Sequence, residues 1–206
     1  MRVWGRANSS NVMKVVWLLE ELGLPYERID VGGPFGRTGD PDYRAMNPNG
    51  TVPTLQDDDF TLWESNVILR YLCASKAPDS PFWPTDLRQR ANVDRWMDWQ
   101  QTTLNRPQSV VFQGLVRTAP EQRNTGAIEA ALAEAGRGWS LLDAQLAHRP
   151  YAVGLSLTLA DMALGVHAHR WFSFTVHRPE TPHLKAWYER LLSRPAYRTH
   201  CAAPMT

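Results

Sequence analysis

Three short polar stretches hold the residue types that could do chemistry. The first is Gly5-Arg6-Ala7-Asn8-Ser9-Ser10-Asn11, which leads into an apolar-periodic segment. A helix N-terminus offers unpaired N–H groups and the positive end of its dipole, and anions settle there. Serine hydroxyls and an asparagine amide add donors. Such a loop can hold a thiolate, because donated hydrogen bonds favour the charged form of a thiol. Each unit by which the thiol pKa falls corresponds to about 1.4 kcal/mol. The same residue types also serve as plain helix caps. The second stretch is Val52-Pro53, between a turn and a strand. A trans bond is the common state there, whereas a cis bond in a tight turn exposes the backbone of the preceding residue. The third is Glu64-Ser65-Asn66, at a strand end and a helix start. Ser65 reads as an N-cap. Together with the helix N-terminus it could also take the carboxylate of an amino-acid head group, with Glu64 facing the ammonium.

Other polar residues read as structural. Thr158 and Asp161 have the spacing of a capping box, with Asp in place of the usual Glu or Gln, and Leu157 and Met162 have that of a hydrophobic staple. Asp161 is therefore expected to be a buried cap rather than a general base. His167 and His169 are two apart and face different sides of a helix, so no metal pair is expected. Trp96 and Trp99 are spaced as core or interface aromatics. The glycine-rich loop Gly32–Gly39 lacks the full phosphate fingerprint and does not follow the first strand.

The elements that must position these residues follow from periodicity and turn chemistry. Arg2–Gly5 reads as a strand. Val12, Val15, Val16, Leu19 and Leu22 recur at helical spacing up to Gly23, and Pro25–Val31 reads as a second strand. Asn47-Pro48-Asn49-Gly50 is a dense turn signal. Strands are predicted over Thr51–Gln56 and Phe60–Trp63, joined by an acidic turn, with a helix from about Ser65. This order, β-α-β-(loop)-β-β-α, implies a mixed sheet with helices packed on it. Ala77–Pro84 is the best linker candidate. Helices are expected beyond it, over Arg88–Val116, Glu121–Ala147, Thr158–Phe172 and His183–Leu192, with a short one over Pro195–His200. The fold class is thus α/β plus all-α, with domains at 1–77 and 88–206 and a linker at 78–87.

The totals limit the function. With 206 residues, 43% hydrophobic and 21% charged, the chain is of globular type, and a net charge of +1 without a basic run argues against nucleic acid or an acidic membrane as the main partner. Cys73 and Cys201 form neither a C-x-x-C pair nor a metal spacing. With no signal-like or transmembrane-length apolar run, a reducing, cytoplasmic setting is the expectation.

The series Ser9-Ser10-Asn11, then Asn47-Pro48-Asn49-Gly50-Thr51-Val52-Pro53, then Glu64-Ser65-Asn66, then Thr158-x-x-Asp161 resembles the cytosolic glutathione transferase superfamily along nearly the whole chain. The resemblance implies a thioredoxin-like first domain that binds glutathione as co-substrate, without a metal, and a helical second domain. It implies that Val52, beside a cis Pro53, pairs its backbone with the cysteinyl part of glutathione. Glu64 and Ser65 would hold the γ-glutamyl end, and Arg37 the glycyl carboxylate. Ser9 looks like the catalytic serine of theta-like bacterial members, with Ser10 its near rival and Asn11 beside the sulfur. Ala7, Asn8, Phe112 and Trp171 would wall the pocket for an electrophilic, mostly apolar second substrate. A homodimer active in detoxification is also implied. The loop has neither the cysteine of omega and beta classes nor the tyrosine of alpha, mu and pi. It also lacks the consecutive serine pattern of a maleylacetoacetate isomerase. Two alternatives share the scaffold: a glutathione-dependent disulfide reductase, and a non-catalytic binding protein.

Overall fold

A computed structural model describes residues 1–205, so Thr206, the last residue of the expected helical domain, lies outside the described residues. The first half holds β1 (Arg2–Trp4), α1 (Ser10–Glu21), β2 (Glu27–Ile29), α2 (Pro41–Met46), β3 (Thr54–Asp57), β4 (Phe60–Trp63) and α3 (Ser65–Lys76). The strands form one sheet in the order β2-β1-β3-β4. The β1–β2 pair is parallel and the other two are antiparallel, which is the mixed sheet of a thioredoxin-like domain. The helical half holds α4 (Leu87–Trp99), α5 (Asn105–Phe112), α6 (Thr125–Leu146), α7 (Leu159–Ser173), α8 (Pro182–Leu192) and α9 (Pro195–Cys201).

Three expectations differ in detail. The segment before Asn47 is a short helix, α2, because Pro41 pre-sets its first turn. The expected continuous helix over Arg88–Val116 contains two wide π turns, at Gln100–Leu104 and Gln113–Arg117. Pro107 has no N–H for the carbonyl four residues earlier, which favours such a relaxation in the first of them. Helix α6 starts at Thr125 instead of Glu121, because the Asn124 side chain caps it by accepting from Ala127 N at 3.0 Å.

The two halves share one hydrophobic cluster, running from Val3 to Cys201. Every residue from Val12 to Leu19 is buried, so α1 is covered on all sides. Trp17 packs edge-on against Tyr197 of α9, with ring centroids 4.8 Å apart. The Tyr197 hydroxyl donates to Gly165 O in α7 at 2.8 Å. A Cβ at Gly165 would lie 2.9 Å from Leu191 Cδ1 and 3.1 Å from the Trp17 ring, so only glycine lets α1 and α7 approach this closely. This contact holds α1 against the helical half.

Asp161 is fully buried. Its carboxylate accepts from Thr158 N (2.9 Å), Thr158 Oγ1 (3.0 Å), Ala152 N (2.8 Å) and Trp187 Nε1 (2.9 Å). Leu157 and Met162 are buried beside it. The residue is a structural clasp between α7, α8 and the preceding loop, as its spacing predicted.

Candidate active site

A cavity of about 350 Å³ opens between the two halves. Its first wall comes from the loop after β1 and the head of α1: Asn8, Ser9, Ser10 and Asn11. Ser9 occupies the N-cap position of α1 in extended backbone, yet its side chain makes no capping hydrogen bond. The simple capping reading therefore fails for the Ser9 hydroxyl, which lines the cavity instead. The helix dipole and the open N–H groups of the first turn face the same space.

The second wall is Gly50, Thr51 and Val52. The Val52–Pro53 bond is cis. The turn before it is held by Asn47, which is buried and whose Nδ2 donates to Thr51 O (2.9 Å) and Thr54 Oγ1 (3.2 Å). The Tyr43 hydroxyl donates to the same Thr51 carbonyl at 2.7 Å. Helix α2, unread in the sequence, thus fixes the segment that presents Val52.

At the head of α3, Glu64 is exposed with φ +73°, a left-handed conformation that costs a non-glycine residue about 1–3 kcal/mol. Ser65 is buried and donates to Asn11 Oδ1 at 3.4 Å, which ties the third polar stretch to the first, although neither Ser65 nor Glu64 itself lines the cavity. Beneath them lies a residue that sequence reasoning missed. Lys14 Nζ is fully buried and donates to Gln100 Oε1 (3.0 Å), Asn66 Oδ1 (3.2 Å) and Ser65 Oγ (3.4 Å). Gln100 in turn meets His167 Nε2 at 3.0 Å. Burial pushes the Lys14 pKa down to about 7, against the pull of the Glu64 carboxylate. The signal was present: a lysine inside an all-apolar helical run cannot reach solvent.

Several expected residues fall elsewhere. Arg37 does not line the cavity. It is exposed, lies over the Trp4 ring at 5.6 Å and sits 4.0 Å from Asp40, while Thr38, Gly32 and Gly33 face the cavity in its place. Trp171 is buried against Trp139 in the core, and its neighbour Arg170 enters the cavity. Ala7 is exposed beside the cavity's loop wall without lining it. Asn8 and Phe112 do line it, joined by Arg6, Asn105, Ser109, Gln113 and Arg117, none of which the sequence singled out. Pro53 is buried behind Val52. Among the described residues no cluster of metal-binding side chains occurs, and both cysteines are free and buried.

A thioredoxin-like sheet, Val52 before a cis proline, and a helix N-terminus lined with hydroxyls around one cleft define a thiol-peptide-binding fold. The chain belongs to the glutathione S-transferase family. The family's N-terminal domain matches residues 8–75 and its C-terminal domain residues 125–190. The chain is 42% identical to glutathione S-transferase GstB of Escherichia coli K12, over 99% of each chain. It also resembles the solved theta class glutathione S-transferase of Xanthomonas axonopodis pv. citri with glutathione bound. There the TM-score is 0.96 and the identity 46%, over 100% of this chain and 98% of that one. A glutathione S-transferase from Pseudomonas fluorescens aligns with TM-score 0.85 and 31% identity, over 99% and 98% of the two chains.

Proposed function

We propose that this protein binds glutathione in the cleft and joins its sulfur to the electrophilic carbon of a small second substrate. The observation that carries the reading is Ser9: a hydroxyl at a helix N-cap position that does not cap and faces the cavity. Ser9, with Asn11 beside it, donates to the sulfur and favours its thiolate form. Val52 offers its backbone to the cysteinyl unit. Ser65 and the α3 N-terminus take the γ-glutamyl carboxylate, and Glu64 faces the ammonium. No covalent bond to the protein is needed, since a stabilised thiolate held next to the electrophile supplies the nucleophile and the proximity. Exposed Phe60 and Trp63 on β4 and Val67 on α3 support a homodimer. Among the described residues no helix is long and apolar enough to cross a membrane. A cytoplasmic, detoxifying role is part of the same reading.

Calorimetric titration with glutathione tests the site. The expected result is binding by the wild-type chain, weakened roughly ten-fold in Ser65→Ala through loss of a hydrogen bond to a charged group. Absence of binding at millimolar glutathione would overturn the proposal.

A further inference from the structure

The wall of the cavity contributed by the helical half is cationic. Arg170 from the last turn of α7 and Arg117 from the π turn after α5 both lie over the Phe112 ring, with guanidinium carbons 3.9 Å and 5.2 Å from its centroid. Arg6 reaches in from the loop after β1 and packs against Gly33. Three guanidiniums line one cavity, and no aspartate or glutamate lines it.

Arg170 bonds only to a neutral acceptor, Asn8 O, at 3.0 Å, and neither Arg170 nor Arg6 takes part in an ion pair among the described residues. Arg6 Nε is buried without a hydrogen-bond partner. Burial lowers the Arg170 pKa to about 10, and the charges of Arg117 and Arg6 add to the effect. Clustered like charges in a partly desolvated cleft are costly unless an anion completes them.

We propose that the second substrate is a small anionic electrophile, whose carboxylate Arg170 and Arg117 bind from the helical wall of the cavity. The inference rests on the glutathione-conjugating reading and narrows the expected apolar substrate to a charged one. Arg170 and Arg117 belong to the helical half and Val52 to the first half, so the carboxylate they hold is assigned to the second substrate and not to glutathione. A cavity near the small end of ligand-site sizes, shared with a tripeptide, also favours a compact partner. With a halogenated aryl carboxylate the balance is simple. The thiol proton leaves to solvent, the thiolate sulfur forms the S–C bond, and the C–halogen bond breaks with the electron pair leaving on the halide. Attack of an anion on an anion is slowed by repulsion, and the guanidiniums remove that penalty.

The test compares 4-chloro-3,5-dinitrobenzoate with its methyl ester, each rate divided by the uncatalysed rate with glutathione. The acid should exceed the ester by at least about ten-fold in kcat/KM, with a KM that rises with salt. In Arg170→Gln the acid-to-ester ratio should fall roughly ten- to hundred-fold, as expected for loss of a charged hydrogen bond, while the glutathione Kd by calorimetry stays within two-fold. Arg117→Gln, on an exposed residue, should lower the ratio in the same direction if Arg170→Gln does not fold. An acid-to-ester ratio of one or less with normal glutathione binding overturns this inference alone. Weakened glutathione binding in both variants, or two glutathione molecules bound per chain, assigns the arginines to glutathione and also overturns it. No glutathione binding by the wild-type chain overturns the conjugation reading, and this inference with it.

Discussion

The buried Lys14 makes stability depend on pH in a direction opposite to that of a salt-bridged lysine. Its pKa falls from near 10.5 to about 7 on folding. Between those values the unfolded chain holds the proton and the folded chain does not, so unfolding takes up a proton. The fold therefore gains stability as pH rises through the window, and the full cost of the buried charge is present below about pH 7. The slope from one such group is about 1.4 kcal/mol per pH unit, and the whole shift amounts to at most about 5 kcal/mol. His167, beyond Gln100, is held well below its ordinary pKa by burial and by the charges of Lys14 and Arg170, so it stays neutral above pH 7. Replacing Lys14 with methionine leaves Gln100, Asn66 and Ser65 short of a donor, a cost that does not vary with pH. Urea unfolding at pH 7.5 and 9.0, at fixed protein concentration, separates the two effects. The wild type should gain about 2 kcal/mol relative to Lys14→Met between those pH values. Ionisation of Cys73, pushed up to about 12 by burial, is common to both proteins and cancels in the difference. A wild-type-minus-variant difference that stays constant with pH would refute the reasoning.

Two other perturbations probe the site and its frame. Ser9→Ala should lower turnover roughly ten- to hundred-fold and move the rise of the pH–rate profile upward, because the thiolate loses a donor; unchanged turnover with an unchanged profile excludes a role at the sulfur. Asp161→Ala removes the acceptor of four buried hydrogen bonds and should cost about 3–5 kcal/mol, lowering Tm by on the order of 10 °C, and a shift under about 2 °C would contradict the clasp.

The sequence by itself determined the local parts. Periods of two and of 3.6 residues marked the strands and helices, because side-chain alternation is a property of each segment alone. Thr158 and Asp161 announced their clasp because a capping box is a local bond pattern. The loop serines, Val52-Pro53 and Glu64-Ser65 were legible as donors and exposed backbone, since their chemistry depends on the element they begin or end. Tertiary structure decided what these parts face. Whether the Ser9 hydroxyl caps α1 or is left for a cavity depends on its rotamer, which no local pattern sets. Trp171 and Arg170 exchange roles because one step along a helix turns a side chain by about 100°, and periodicity cannot set the rotation of α7 against the rest. Arg37 lies over Trp4 because a glycine-rich loop leaves its path to long-range contacts. The basic wall escaped the sequence altogether. Arg6, Arg117 and Arg170 come from three distant parts of the chain, and charges so far apart in sequence become neighbours only when α1 packs into the groove of α7 and α9.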